Sequence, residues 1–214
     1  MSVILGRLSG AFLLNCELFA LTLLFALPLG LVVAFGSMSR CKPLSGAVKT
    51  FVWVIRGTPL MLQLMVVYFG PYYLFGVKIS PFYRNIAVVI GFVLNYAAYF
   101  AEIYRSGIES MPVGQYEAAE ILGYSKSQTF IHIILPQVIK RILPSITNEV
   151  ITLVKDTSLA FVIAVSEMFT IAKALASSQT SMIPYVAAGI FYYVFNFLVA
   201  WIMEKIEKHL SYYR

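Results

Sequence analysis

Five long apolar runs alternate with short polar connections, near Ala11 to Phe35, Phe51 to Phe75, Ile86 to Tyr104, Val138 to Val154 and Pro184 to Met203. Roughly 20 mainly apolar helical residues cross the ~30 Å hydrocarbon layer, so each run predicts a membrane-spanning helix. The fourth run is interrupted, since Glu149 lies inside it and Lys155 and Asp156 precede an apolar continuation, "SLAFVIAV". The first run is long and lacks a small-residue cleavage site, which predicts an integral span instead of a removed signal peptide. The expected fold is an all-α polytopic membrane protein with five transmembrane helices, forming a single domain over residues 1–214.

Composition strengthens this reading. Hydrophobic residues make up 60% of the chain and charged residues 12%, against about 25% charged in ordinary soluble domains. So few charges cannot supply the polar shell of a soluble core. The net charge of +6 does not point to nucleic acid, because the cations are scattered between apolar runs without interleaved aromatics. Their positions speak to topology. Arg40, Lys42 and Lys49 fall between runs one and two; Arg105, Lys126, Lys140 and Arg141 between three and four; Lys205, Lys208 and Arg214 after run five. The alternate connections hold only Arg7, Lys78, Arg84 and Lys173. Because basic loops stay cytoplasmic, the amino terminus is expected outside and the carboxyl terminus in the cytoplasm.

Chemistry narrows the function classes. Cys16, Cys41, His132 and His209 are isolated, so neither a metal site nor a disulfide framework is expected. No phosphate-binding G-x-x-x-x-G-K-[ST] loop occurs, and no nucleophile, base or metal cluster converges. The chain is therefore expected not to be an enzyme. An ion-coupled secondary carrier is the competing class, but five spans do not divide into the equal internal repeats such carriers usually show.

Several residues shape the spans. Pro28 is expected to kink the first. In "VIRGTPLMLQ", Gly57 can break a helix, Thr58 can cap a new one and Pro59 fits its first position, which predicts a bend near Gly57. Arg56 beside it either snorkels to the interface or contacts another subunit. Tyr72, Tyr73, Tyr83, Tyr192 and Tyr193 suit an interfacial aromatic belt.

The stretch "EAAEILGYSKSQTFIHIILPQ", Glu117 to Gln137, is polar and sharply punctuated. Pro112 and Gly114 should end the third long helix, and Gln115 to Leu122 can form about two turns of another. Ala118 and Leu122 share one face at i and i+4, as do Ala119 and Gly123. Gly123 follows where a helix commonly ends in the left-handed region. Ser125 with Gln128 three residues later forms a capping-box pattern, and Pro136 limits or kinks the helix beyond. A small-residue face suits docking into a groove on another protein; the alternative, a helix resting on lipid, lacks the bulky apolar surface it would bury.

These residues carry a resemblance. Glu117, Ala118, Ala119, Gly123, Ile133, Leu135 and Pro136 fit the pattern EAA, three residues, G, nine residues, I, one residue, L, P. The segment resembles the EAA loop of permease subunits of type I ATP-binding-cassette importers. "RGTPLMLQ", "AAYFAEIYRSGIESMPVGQYEAA" and "LPSITNEVITLVKDTSL" are similar to the polar amino-acid group that includes histidine, glutamine and arginine permeases. The resemblance covers residues 11–206 or nearly so, with 112–136 as the loop, and departs at "NCEL", where Asn15 stands in a place often held by Thr. It implies an ATPase-coupling helix carrying Glu117, Ala118, Ala119, Leu122 and Gly123, between the third and fourth spans. It also implies two ABC ATPase subunits that hold ATP and Mg, a second permease subunit, identical or related, and an extracytoplasmic amino-acid-binding protein, at a prokaryotic cell membrane.

Ionisable residues inside spans are expensive and become pathway candidates. Glu149 can meet a substrate ammonium or guanidinium group, or instead partner Arg141 or Lys155. Asp156, Thr157 and Ser158 form a polar break that can expose backbone to an aqueous path. Asn95, Tyr99 and Glu102 recur along the third span and can face the same path, or instead bond neighbouring helices. Arg56, Gly57, Thr58 and Pro59 form the structural motif beside them, and Glu17 can reach the outer interface.

Overall fold

The computed structural model describes residues 2–210; Arg214, counted above with the cytoplasmic cations, lies outside them. The described residues form helices α1 (Ser2–Ser37), α2 (Lys42–Arg56), α3 (Leu60–Phe75), α4 (Pro81–Glu109), α5 (Val113–Ile121), α6 (Lys126–Gln128), α7 (Leu135–Asp156), α8 (Met168–Gln179) and α9 (Ile183–Leu210). A π-helical segment, Thr129–Ile134, joins α6 to α7, and a 3₁₀ segment, Thr157–Ile163, extends α7. Four helical stretches are long and apolar enough to cross a membrane: Ile4–Ser37, Pro81–Glu109, Lys126–Ile163 and Ile183–Leu210. A fifth arises if α2 and α3, bent by 110° at their junction, count as one broken span.

Two close approaches set the core. α1 packs along α4, and α3 packs across it. At Gly30 an added Cβ would lie 2.9 Å from Phe100 Cβ and 3.1 Å from the Ala97 carbonyl, so only hydrogen fits. At Gly91 it would lie 2.6 Å from Leu64 Cδ2, which is how the fully buried Leu64 of α3 reaches α4. Small residues allow this approach in lipid, where van der Waals packing drives association. On α4, Phe92, Tyr96, Phe100 and Tyr104 recur every fourth residue, with successive ring centroids 6.4, 6.2 and 6.4 Å apart. A second core gathers Ile4, Leu8 and Ala11 of α1 with Met168, Ala172 and Leu175 of α8 and Ala187 and Ala188 of α9.

α1 is one helix on both sides of Pro28. The structure corrects two expectations. The fourth span is helical well beyond Val138 to Val154, and the polar break at Asp156 is a tightening into 3₁₀ geometry; non-helical backbone begins only at Ala164, whose φ is 56°. α8 has no counterpart among the five runs, because its twelve residues are too short to span and mix Ala and Ser with apolar side chains.

Candidate functional site

The α2–α3 elbow frames the site. Gly57 closes α2, donating its N–H to the Trp53 carbonyl at 2.9 Å. Thr58 does not cap α3: its hydroxyl donates back to the Val54 carbonyl at 2.8 Å, sealing the end of α2. Pro59, with ψ of 135°, is the residue before α3, which begins at Leu60. A residue before proline is pushed to extended backbone, so the turn is complete before the new helix can start. Gln63, one turn into α3, closes the elbow from the far side: its amide nitrogen lies 2.7 Å from the Ile55 carbonyl and 2.9 Å from the Thr58 carbonyl.

Against this elbow lies a cleft of about 350 Å³, lined by Thr58, Pro59 and Leu60, by Asn95, Tyr96 and Tyr99 of α4, and by Glu149, Thr152 and Asp156 of α7 with Leu159. Asn95, Tyr99, Glu149 and Asp156, four of the pathway candidates, thus meet in one place. Tyr96 donates its hydroxyl to Asp156 Oδ2 at 2.8 Å, and Asn95 donates its amide to Gln63 Oε1 at 3.0 Å. Among the described residues, neither Arg141 nor Lys155 forms an ion pair with Glu149; Arg141 instead donates to the Ser110 carbonyl at 2.6 Å. The two carboxylates make the lining acidic.

The remaining candidates sit elsewhere. Glu102 pairs with Arg105, which donates from Nε at 3.1 Å, and with Arg56 at 3.8 Å; Arg56 in turn stacks over the Tyr99 ring at 5.3 Å. Arg56 is therefore tied to α4 of its own chain. Ser158 donates to the Lys155 carbonyl. Thr157 is fully buried and faces away from the cleft, accepting from Asn15 Nδ2 at 3.0 Å. Asn15 Nδ2 also donates to Tyr192 at 2.9 Å and lies 3.4 Å from Glu167, to which Tyr192 donates at 3.3 Å, and Asn15 Oδ1 accepts from the Met168 N–H at 3.1 Å. Glu167, 1% exposed, accepts from the Phe169 and Thr170 N–H groups and so caps α8. Glu17 lines a small separate cavity with Asn85 and Glu167.

The loop between α4 and α7 keeps much of its expected punctuation, but Gly114 does not help end α4: it lies inside α5, which starts two residues earlier than expected because Pro112 already supplies the break. α4 ends at Glu109, and α5 begins after Pro112. Gly123 has φ of 78°, and Tyr124 donates its N–H back to the Ala119 carbonyl at 3.0 Å, which ends α5. The Ser125 capping box is complete, with Gln128 N–H donating to Ser125 Oγ at 3.3 Å and Ser125 N–H to Gln128 Oε1 at 2.9 Å. Glu117, Ala118, Leu122 and Gly123 are exposed, whereas Ala119 is buried within the chain. The exposed face is also less smooth than expected: Ile121 is 86% and Leu122 73% exposed, giving α5 a bulky apolar tip.

Gln63, Tyr96 and the Asn15–Glu167 network are functional features that the sequence does not announce. Gln63 lies four residues beyond Pro59, one turn from the break, and that position is the signal the sequence offers. Asn15 was visible only as a departure from a family pattern, because its partners lie more than 140 residues away.

The arrangement defines a class: a membrane-spanning helical bundle with an acidic cleft at a broken helix. Residues 26–212 match the family described as the binding-protein-dependent transport system inner membrane component. The chain belongs to that family, as a permease subunit of a binding-protein-dependent transporter. It is 35% identical to the L-cystine transport system permease protein TcyB of Bacillus subtilis, over 96% of this chain and 87% of that protein. It is also 35% identical to the arginine transport system permease protein ArtQ of the same organism, over 92% of this chain and 90% of that one. A solved amino acid ABC transporter, described with histidines, superposes with a TM-score of 0.88 at 30% identity, covering 98% of this chain and 96% of that chain.

Proposed function

We propose that this chain forms the translocation pathway of an ATP-driven importer for a polar or charged amino acid, with the cleft at the α2–α3 elbow as the place where the amino acid is held. The observation that carries this reading is the meeting of Glu149 and Asp156 with Asn95 and Tyr99 in one cleft. Every amino acid carries an ammonium group, and some a guanidinium or second ammonium; two carboxylates in a partly dehydrated cleft attract such cations more strongly than they would in water. The relatives named for cystine and for arginine agree with a polar cargo while differing in which one. Nothing in these matches favours an ion-coupled carrier.

The amino terminus lies outside and the carboxyl terminus in the cytoplasm, as the distribution of cations supports, at a prokaryotic cell membrane. α5, with Glu117, Ala118, Leu122 and the turn at Gly123, docks on a separate ATPase subunit. That subunit holds ATP and Mg; two of them work with two permease subunits and an extracytoplasmic binding protein. When the ATPases close, the α5 helices follow and the cleft changes the side to which it opens. The exposed Ile121 and Leu122 are the apolar anchors of that contact.

The test is ATP hydrolysis by the purified complex in lipid, with its binding protein, across a panel of amino acids. Stimulation by one or a few is expected. A chain that purifies without an ATPase and moves solute under an ion gradient alone would overturn the proposal.

A further inference from the structure

Gln63 lies outside the cleft lining, yet it bonds both to the elbow and to Asn95 of the lining. The bend at residues 57–59 leaves the Ile55 carbonyl of α2 and the Thr58 carbonyl of the connection without helical partners, and an unpaired carbonyl at membrane depth is costly. The Gln63 amide nitrogen meets two of them, Ile55 O at 2.7 Å and Thr58 O at 2.9 Å, with Thr58 Oγ1 also at 2.9 Å. Main-chain carbonyls can only accept, so this end of the side chain must be the NH2 group. The oxygen end therefore points to Asn95, which must present its own nitrogen, at 3.0 Å. Asn95 is 5% exposed and lines the cleft, so with its nitrogen held by Gln63 its oxygen is the end left for the cleft.

We infer that Gln63 is a positioning residue for transport: it clamps the α2–α3 elbow and, through Asn95, fixes which end of a cleft amide meets the cargo, so that elbow and cleft move as one unit. The inference rests on the proposed role of the cleft, but its elbow half does not. With Asn95 oxygen, Glu149 and Asp156 together, the cleft offers three acceptors toward a cation. Displacement of the Asn95 side chain pulls on the same amide that holds the elbow closed.

Two measurements on the complete transporter in lipid test this. First, amide hydrogen exchange over residues 57–63 is followed without amino acid. Gln63→Met, and Gln63→Glu, which keeps the volume but loses the donor, should each speed exchange about tenfold there while α4 is unchanged, the loss of well-formed hydrogen bonds being of that order. Unchanged exchange in both would overturn the clamp.

Second, stimulated and basal ATP hydrolysis are compared, with the complex shown by co-purification to be assembled. Gln63→Met, which lies outside the cleft lining, should lower the stimulated-to-basal ratio about tenfold with basal hydrolysis retained; Asn95→Leu, which also removes a cleft acceptor, should lower the ratio at least as far, and the double variant should be no worse than Asn95→Leu, since the bond to Gln63 is already gone there. Multiplicative losses, or equal falls in basal and stimulated rates, would overturn the link to Asn95. Asn95→Asp provides a second route if Asn95→Leu does not assemble: it keeps the shape, loses the donor to Gln63 and should lower the ratio in the same way. Wild-type complex that clamps its elbow but answers to no amino acid would sink the proposed cargo and leave the clamp standing.

Discussion

Tyr96 donates its hydroxyl to Asp156 at 2.8 Å, bonding the middle of α4 to the last residue of α7. The tyrosine ring is buried in the α4 aromatic ladder, so one end of it is fixed by packing while the other aims the carboxylate at the cleft.

Tyr96→Phe should leave the ladder intact and free Asp156 to rotate. With one charge-assisted bond lost, amino-acid-stimulated ATP hydrolysis is expected to fall about tenfold, with the complex still assembling. Stimulation equal to wild type would show that Asp156 needs no such holding.

Gly107 marks a close approach of α4 to α7: a Cβ there would lie 2.2 Å from Ile142 Cγ2 and 3.3 Å from Val138 Cγ1. Gly107→Ala should destabilise the purified complex by about 1–3 kcal/mol through overpacking, and Ile142→Ala in the same chain should recover part of it. Gly30→Ala should resist such rescue, because its obstacles are Phe100 Cβ and a main-chain carbonyl. Thermal unfolding of Gly107→Ala with and without Ile142→Ala, and of Gly30→Ala with and without Phe100→Ala, decides both points.

At Gly123 the constraint is conformational. Nothing lies within 4 Å of an added Cβ, but φ is 78°. Gly123→Val should cost about 1–2 kcal/mol at this turn and abolish stimulated hydrolysis while membrane insertion persists, whereas Gly123→Asn should retain most of it. Comparable activity in the two would mean that the turn at the end of α5 is not what couples the subunits.

Asn15→Leu removes a partner from the buried Glu167 and from Thr157 and Tyr192 at once. A loss of about 1–3 kcal/mol is expected in thermal unfolding, with Asn15→Thr intermediate because its hydroxyl can keep one bond. A neutral Asn15→Leu would show that the helix-capping bonds of Glu167 suffice alone.

Much of this architecture could be read from the chain because lipid imposes simple rules. Apolar length located the spans, and Gly57 with Pro59 located the elbow. The partners could not be read. Thr58 was expected to begin α3, but its bond goes back to Val54, since the proline ahead of it forbids continuing the helix. Helical spacing paired Ala119 with Gly123 and Ala118 with Leu122 without saying which pair turns inward; contact with the following helical segment buries Ala119 and leaves Leu122 bare. Glu102 shared a helical stripe with Asn95 and Tyr99, yet two arginines draw it aside.

The buried bonds of Asn15 also bear on how the protein is made. Its partners Glu167 and Tyr192 follow it by 152 and 177 residues, so α1 has entered the bilayer long before either has left the ribosome. Until then the amide at that position has none of these bonds, and α1 cannot take its final place. A chain halted before Thr157 would keep an unmet polar group within its first helix, a mark by which membrane proteolysis can tell an unfinished subunit from a finished one.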